Sequence, residues 1–344
     1  MGGLILSMLV ALAGCQTPDR AIFSAGAAAR VWPAAPDAPR IAYVGELTGE
    51  DSLHARRDGF EALGEILTGP RPKARFVTPM AVAVAGERVY VADPAGDASV
   101  VHVLDMKQRT YAAIREVTGT PLQWPVDLAV CDNRLAIADA DRATVFLVDL
   151  NGAGGRAITG NGLTRPVSLA WDARANQLFV ADAGAGAVFV FDANGRFVRR
   201  FGTVGAGEGE FHAPVGIAVD ARDGAARVVV ADSLNFRAQL LSADGASLRC
   251  IGSKGDAAGS FALPRDVAVD RDGNLYVLDN QLECVQVFDQ QGQLLMALGQ
   301  EGRAAGEFWL PSGITIDDQD RIWIADTYNR RVQVFRYLPQ EAAP

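Results

Sequence analysis

Short apolar runs of strand length, rich in Val, Ile, Leu and Ala, alternate along most of the chain with turns made of Asp, Asn and Gly. The runs come in a fixed order. A proline opens one run, a turn follows, and a second run closes on Ala-Asp or Leu-Asp. The openings are Pro79, Pro125, Pro166, Pro214, Pro264 and Pro311, and the closings are Asp93, Asp139, Asp182, Asp232, Asp279 and Asp326. Strand-like content repeating every 40–50 residues or so is the signature of a β-propeller with four strands per blade. The pattern predicts an all-β fold, a six-bladed propeller of four-stranded antiparallel blades.

The first run of each repeat is almost continuously apolar, as expected for a strand covered on both faces. Four residues after each proline stands a small residue: Ala83, Ala129, Ala170, Ala218, Ala268 and Thr315, each flanked by bulky neighbours such as Leu128 and Val130. Wedge-shaped blades can interdigitate on such a surface close to a crowded axis. The last repeat stops after its third strand, Val332–Phe335, and an orphan strand, Arg40–Gly45, stands ahead of the first repeat. Pairing these two predicts a closed ring and removes an exposed edge. Between them, Phe60, Leu63, Ile66 and Leu67 recur at helical spacing ahead of Gly69-Pro70, which predicts a short amphipathic helix near residues 52–68 within an insertion at 50–74.

The N-terminus changes the picture of where the protein works. Leu4 to Leu12 is apolar but too short to be a permanent membrane span, and suits the core of a signal peptide. It runs into Leu12-Ala13-Gly14-Cys15, which resembles the bacterial lipobox, although no Lys or Arg precedes the apolar stretch. That resemblance implies a signal peptide at 1–14, lipidation of Cys15, and attachment to the bacterial envelope through lipid alone. Gln16 resembles the residue of lipoproteins passed on to the outer membrane. Residues 15–39, rich in Ala and Pro, read as a lipidated tether, 40–338 as the propeller and 339–344 as a tail. Cys131, Cys250 and Cys284 lack C-x-x-C spacing, and the last two fall near one rim where a disulfide could form. The formal charge of −9 disfavours nucleic acid as a partner.

Gly259-Ser260-Phe261, Pro264, Asp270-Arg271-Asp272-Gly273-Asn274, Val277-Leu278-Asp279 and Val287-Phe288 together resemble the NHL repeat. The last repeat, with Asp326-Thr327-Tyr328-Asn329-Arg330-Arg331-Val332-Gln333-Val334-Phe335, is nearest to it, and the first two are degenerate. The repeated Asp falls where strand two turns into strand three, so it is expected to build the blade by accepting loop N–H bonds. One NHL-type enzyme group, the peptidyl-hydroxyglycine amidating lyases, holds a central zinc with histidines from several blades. Here His54, His102 and His212 cannot make such a set, since only His212 lies in a loop leading into a first strand. Six-bladed lactonases and phosphotriesterases hold calcium on the axis. The channel positions here offer Asp127 and Asp266, three blades apart, with Arg265 beside one, too few ligands for a tight calcium cage.

Loops entering strand one and loops leaving strand two emerge at the same end of the ring. That end gathers Trp309, Tyr328, Arg330, Phe236 and His212, the aromatic and Arg chemistry that protein interfaces favour. The expected function is an envelope lipoprotein whose propeller binds a protein or peptide without a resident cofactor. The alternative is a metal-dependent hydrolase or lyase, with calcium or another metal in the channel.

Overall fold

The computed structural model describes residues 22–23, 30–53, 73–95, 99–222, 224 and 226–338. Cys15, the signal segment, His54 and the helix expected near 52–68 lie outside the described residues, apart from one 3-10 turn at Glu50–Leu53. No helix among the described residues is long and apolar enough to cross a membrane.

Six antiparallel sheets follow one another around a ring. Blade 1 is Ala81–Ala85, Arg88–Asp93, Val100–Asp105 and Thr110–Ile114, and blade 2 is Pro125–Cys131, Arg134–Asp139, Thr144–Asp149 and Arg156–Ile158. Blade 3 comprises Pro166–Asp172, Gln177–Asp182, Ala187–Asp192 and Phe197–Phe201; blade 4 comprises Pro214–Asp220, Arg227–Asp232, Arg237–Ser242 and Ser247–Ile251. Blade 5 is Pro264–Val269, Leu275–Asp279, Cys284–Phe288 and Leu294–Leu298. Blade 6 takes Gly313–Ile316, Arg321–Asp326 and Arg331–Tyr337 from the end of the chain and borrows Ile41–Leu47 from its start. The orphan strand therefore closes the ring as expected, in the register Ile41↔Tyr337 to Leu47↔Val332 with an irregularity after Tyr43.

The closing blade carries one strand more than its siblings. Val31–Trp32 pairs with Ile41–Ala42, and Trp32 packs edge-on against Phe335 at 5.7 Å. Farther up, Phe23 meets Trp323 at 6.0 Å. The end of the segment read as a tether is thus docked on the outer side of blade 6. Two hydroxyls seal the joint from within: Thr327 Oγ1 donates to Pro79 O (2.8 Å) and Ser312 Oγ to Met80 O (2.9 Å), tying blade 6 to blade 1.

The core lies between blades rather than inside one. Each apolar cluster joins a neighbouring pair: Ala83 packs in one cluster with Leu128, Ala129 with Leu169, Ala170 with Ile217 and Ala268 with Ile314. The small face of one first strand receives the large residue of the next, so adjacent wedges pack against each other around the axis. Cys131, Cys250 and Cys284 are all free thiols, so no Cys250–Cys284 disulfide forms.

Candidate functional site

The end of the ring where first strands begin, here the top, is built on the six repeated aspartates. All six are fully buried. Each accepts backbone N–H bonds from the loop ahead of its own first strand: Val77 and Thr78 to Asp93, Gln123 and Trp124 to Asp139, Thr164 and Arg165 to Asp182, His212 to Asp232, Ala262 and Leu263 to Asp279, Trp309 to Asp326. The carboxylate fixes the turn between strands two and three against the incoming loop. In blades 4 and 6 an arginine completes the brace. Arg237 Nε reaches Asp232 at 2.9 Å and Arg331 Nε reaches Asp326 at 2.8 Å, and both also donate to carbonyls of the long loop. Asn235 and Asn329 serve the same turn by donating to Asp232 and Asp326.

A second repeated group escaped the sequence reading. In the middle of strand three, Gln239, Gln286 and Gln333 each accept from a loop glycine (Gly209, Gly259, Gly306) and donate to the carbonyl of the next residue (Glu210, Ser260, Glu307) at 2.7 Å. The clamp holds Phe211, Phe261 and Phe308 inside the blade interfaces. The signal was a polar residue recurring at a buried strand position in blades 4–6. Blade 1 has His102 there, bonded to Tyr111 and Asp93, and blades 2 and 3 have Phe146 and Phe189, which is where the repeat degenerates.

Superposed on this frame, the five residues expected to contact a partner fall on three equivalent positions in two blades. Blade 4 presents His212, Leu234 and Phe236; blade 6 presents Trp309, Tyr328 and Arg330. Blade 5, between them, has Ala262, Gln281 and Glu283 at these positions. Phe236 and Arg330 share a left-handed backbone (φ 56° in both), as does Glu283 at the same position of blade 5 (φ 53°). Trp309 and Tyr328 pack ring to ring at 5.7 Å, and Arg303 lies 4.6 Å above the Trp309 ring. Lys254 covers Phe236 at 4.9 Å. Tyr328 is 57% exposed and Leu234 46% exposed. Leu234 was not in the sequence-based set, and its exposure comes from the short 3-10 turn Ser233–Asn235. Among the described residues no hydrogen bond or ring contact joins the blade 4 group to the blade 6 group.

The channel carboxylates have a use the sequence did not show. A cavity of about 290 Å³ runs along the axis, walled by first strands and including Asp127, Ser168 and Asp266. Asp127 accepts from Leu169 N (2.7 Å) and Ser168 Oγ (2.9 Å) of blade 3, and Asp266 accepts from Ile314 N (2.8 Å) of blade 6. Ser168 Oγ passes the pattern on by accepting from Ile217 N of blade 4. These side chains staple neighbouring first strands. At the equivalent Gly216, a Cβ would stand 2.5 Å from Asp266 Cα, so this position must be glycine. Burial pushes Asp127 up to about 6, against its backbone bonds, and raises Asp266 well above an ordinary carboxylate, with the charge of Asp127 adding to the effect. The described residues contain no group of three His, Cys, Asp or Glu side chains able to hold a metal ion.

The comparisons with known proteins speak to this geometry. An NHL-repeat family model matches residues 308–335, and a six-bladed β-propeller family model matches residues 169–234. The chain is a six-bladed propeller carrying an NHL repeat. No curated protein matches the propeller's sequence. Among solved structures, it is similar to a protein of unknown function from Bacteroides thetaiotaomicron, with 16% identity and a TM-score of 0.62 over 77% of this chain and 70% of the other. An auxiliary nutrient binding protein of the same organism gives 14% identity and a TM-score of 0.58, over 76% and 69%. Virginiamycin B lyase from Staphylococcus aureus gives 12% and 0.56, over 76% and 96%. At these identities the likeness concerns the fold.

Proposed function

We propose that this propeller is a lipid-anchored envelope protein, tethered through Cys15 on the outer membrane, that binds a protein or peptide across the top of blade 5. The observation that carries the reading is the paired Trp309 and Tyr328 beneath Arg303, facing Leu234 and Phe236 on the far side of a blade whose own positions are Ala262 and Gln281. Aromatic and Arg groups dominate the energetics of protein interfaces, and two raised posts beside a low floor suit an extended segment. The rigid frame of Asp, Gln and Arg clamps holds the posts in place before the ligand arrives, which limits the ordering cost of binding. Catalysis has no part in the reading. The channel acids Asp127 and Asp266 accept backbone N–H groups of the next blade, and the hydroxyl on Asp127, Ser168 Oγ, itself accepts from Ile217 N, so these groups are accounted for as inter-blade staples.

Affinity capture from detergent-solubilised envelopes, comparing the wild type with a Trp309→Ala/Arg330→Ala variant of equal melting temperature, tests this. The same partner must be retained by the wild type and lost by the variant. Equal retention by both overturns the top-face assignment. Metabolic labelling with a radioactive fatty acid tests the anchor separately: label must disappear in Cys15→Ser.

A further inference from the structure

Two glycines on the outer side of the ring leave room for side chains of the N-terminal segment. A Cβ at Gly45 would stand 2.7 Å from Phe23 Cδ1, and one at Gly306 would run into the Trp32 ring. Ile22 and Phe23 join the apolar cluster that blade 6 shares with blade 1, together with Val44, Met106 and Tyr111. Farther along, Arg30 donates to Ala305 O and lies over the Trp32 ring at 5.6 Å. The backbone is held there too: Tyr43 N donates to Arg30 O (2.8 Å) and Arg40 N to Trp32 O (2.7 Å). The segment is thus seated at two points, between blades 6 and 1 and on the edge of blade 6.

That seating sets the length of the leash. A fully extended chain spans at most about 3.5 Å per residue. With the segment loose as far as Ile41, the 26 residues from Cys15 would reach about 90 Å. Ile22 already lies against the ring, so only seven residues of chain run from the seat to Cys15, a reach of about 25 Å. We propose that the rim formed by blades 6 and 1 is the side of this protein that faces the membrane. The ring then stands on edge, and its top opens along the membrane plane instead of toward the lipid. The partner of this rim is the bilayer that holds the Cys15 lipid, and the inference rests on that anchor.

Energy transfer from the full-length lipidated protein to a headgroup dye tests it, in vesicles of phosphatidylethanolamine and phosphatidylglycerol. A fluorescent amino acid serves as donor at one of two opposed sites. Ala112 is exposed on the outer strand of blade 1, and Leu248, 53% exposed, lies on the outer strand of blade 4 across the ring. Position 112 should transfer at least about twofold more than position 248, because the leash holds one rim close to lipid and leaves the other across the ring. Inserting about twenty Gly/Ser residues after Arg20 adds a flexible linker, leaves both seats untouched and should abolish the difference. Ile22→Ser/Phe23→Ser empties the inner seat, lengthens the leash to the 16 residues before Val31, about 55 Å, and should narrow the difference. Equal transfer from 112 and 248 in the wild type, or a difference that survives either change in full, overturns the proposal and leaves the anchor standing. A wild type that takes up no fatty acid and does not float with the vesicles overturns the anchor, and this inference with it.

Discussion

Asp279 tests the structural role of the repeated aspartate most cleanly, because its blade has Cys284 where blades 4 and 6 have the bracing arginine. Its carboxylate is fully buried and accepts from Ala262 N (2.8 Å), Leu263 N (3.1 Å), Gln281 N (3.0 Å) and Leu282 N (3.0 Å). Asp279→Ala leaves four backbone donors without an acceptor. A buried donor left unmet costs about 1–3 kcal/mol, and water can reach part of a loop at the rim, so the low end applies. The expected loss is about 4 kcal/mol, a large share of the 5–15 kcal/mol or so that typically stabilises a domain. Asp279→Asn keeps one oxygen and sets its amide against the other pair of donors, for a loss of about 2 kcal/mol. Urea unfolding followed by tryptophan fluorescence measures both. Alanine within about 0.5 kcal/mol of wild type, or asparagine worse than alanine, would refute the account of this carboxylate as a loop acceptor.

Three further outcomes follow from the ring. Removing residues 1–47 strips the outer strand from blade 6 and exposes the edge at Val332 and Val334; size-exclusion chromatography should show aggregation or loss of the monomer peak, whereas removing only residues 1–29 should leave a folded monomer. Gly216→Ala drives a methyl into blade 5 at Asp266 and should lower stability by about 1–3 kcal/mol in the same urea assay, and unaltered stability would count against the close approach at the axis. Asp127 carries a pH signature. A carboxyl whose pKa is higher folded than unfolded supports the fold while protonated and withdraws that support as pH rises through its folded value, here about 6. Relative to Asp127→Ser, which uses the residue blade 3 has at this position, the wild type should lose about 2 kcal/mol between pH 4 and pH 7. A difference that stays flat over that window contradicts the burial argument.

The architecture was legible because it is written in local chemistry. Proline, small residue and terminal Asp recur at fixed offsets, and the missing fourth strand of the last repeat pointed to the run at Arg40–Gly45, which the fold extends as Ile41–Leu47. What the sequence hid depends on contacts between blades. Asp127 and Asp266 looked like a pair of channel ligands, because nothing local tells that Leu169 N and Ile314 N of the next blade lie 2.7 and 2.8 Å away. Val31–Trp32 looked like tether because two residues among prolines carry no strand pattern, and only the waiting edge of Ile41–Ala42 makes them one. The Gln239, Gln286 and Gln333 clamp was hidden by its absence from blades 1–3. Trp309 and Tyr328 were picked for their residue types; that they touch, and that Leu234 stands across blade 5 from them, took coordinates to see.

Site-specific photocross-linking in intact cells puts the top-face assignment to its most direct test. A photoreactive phenylalanine analogue is placed at position 328, at position 234, or at position 198 on the outer strand of blade 3, where Val198 is 43% exposed. Positions 328 and 234 should yield adducts with one common partner and position 198 none. Adducts of equal strength at position 198, or none at 328 and 234, would contradict the proposal that this propeller works by docking a ligand across blade 5.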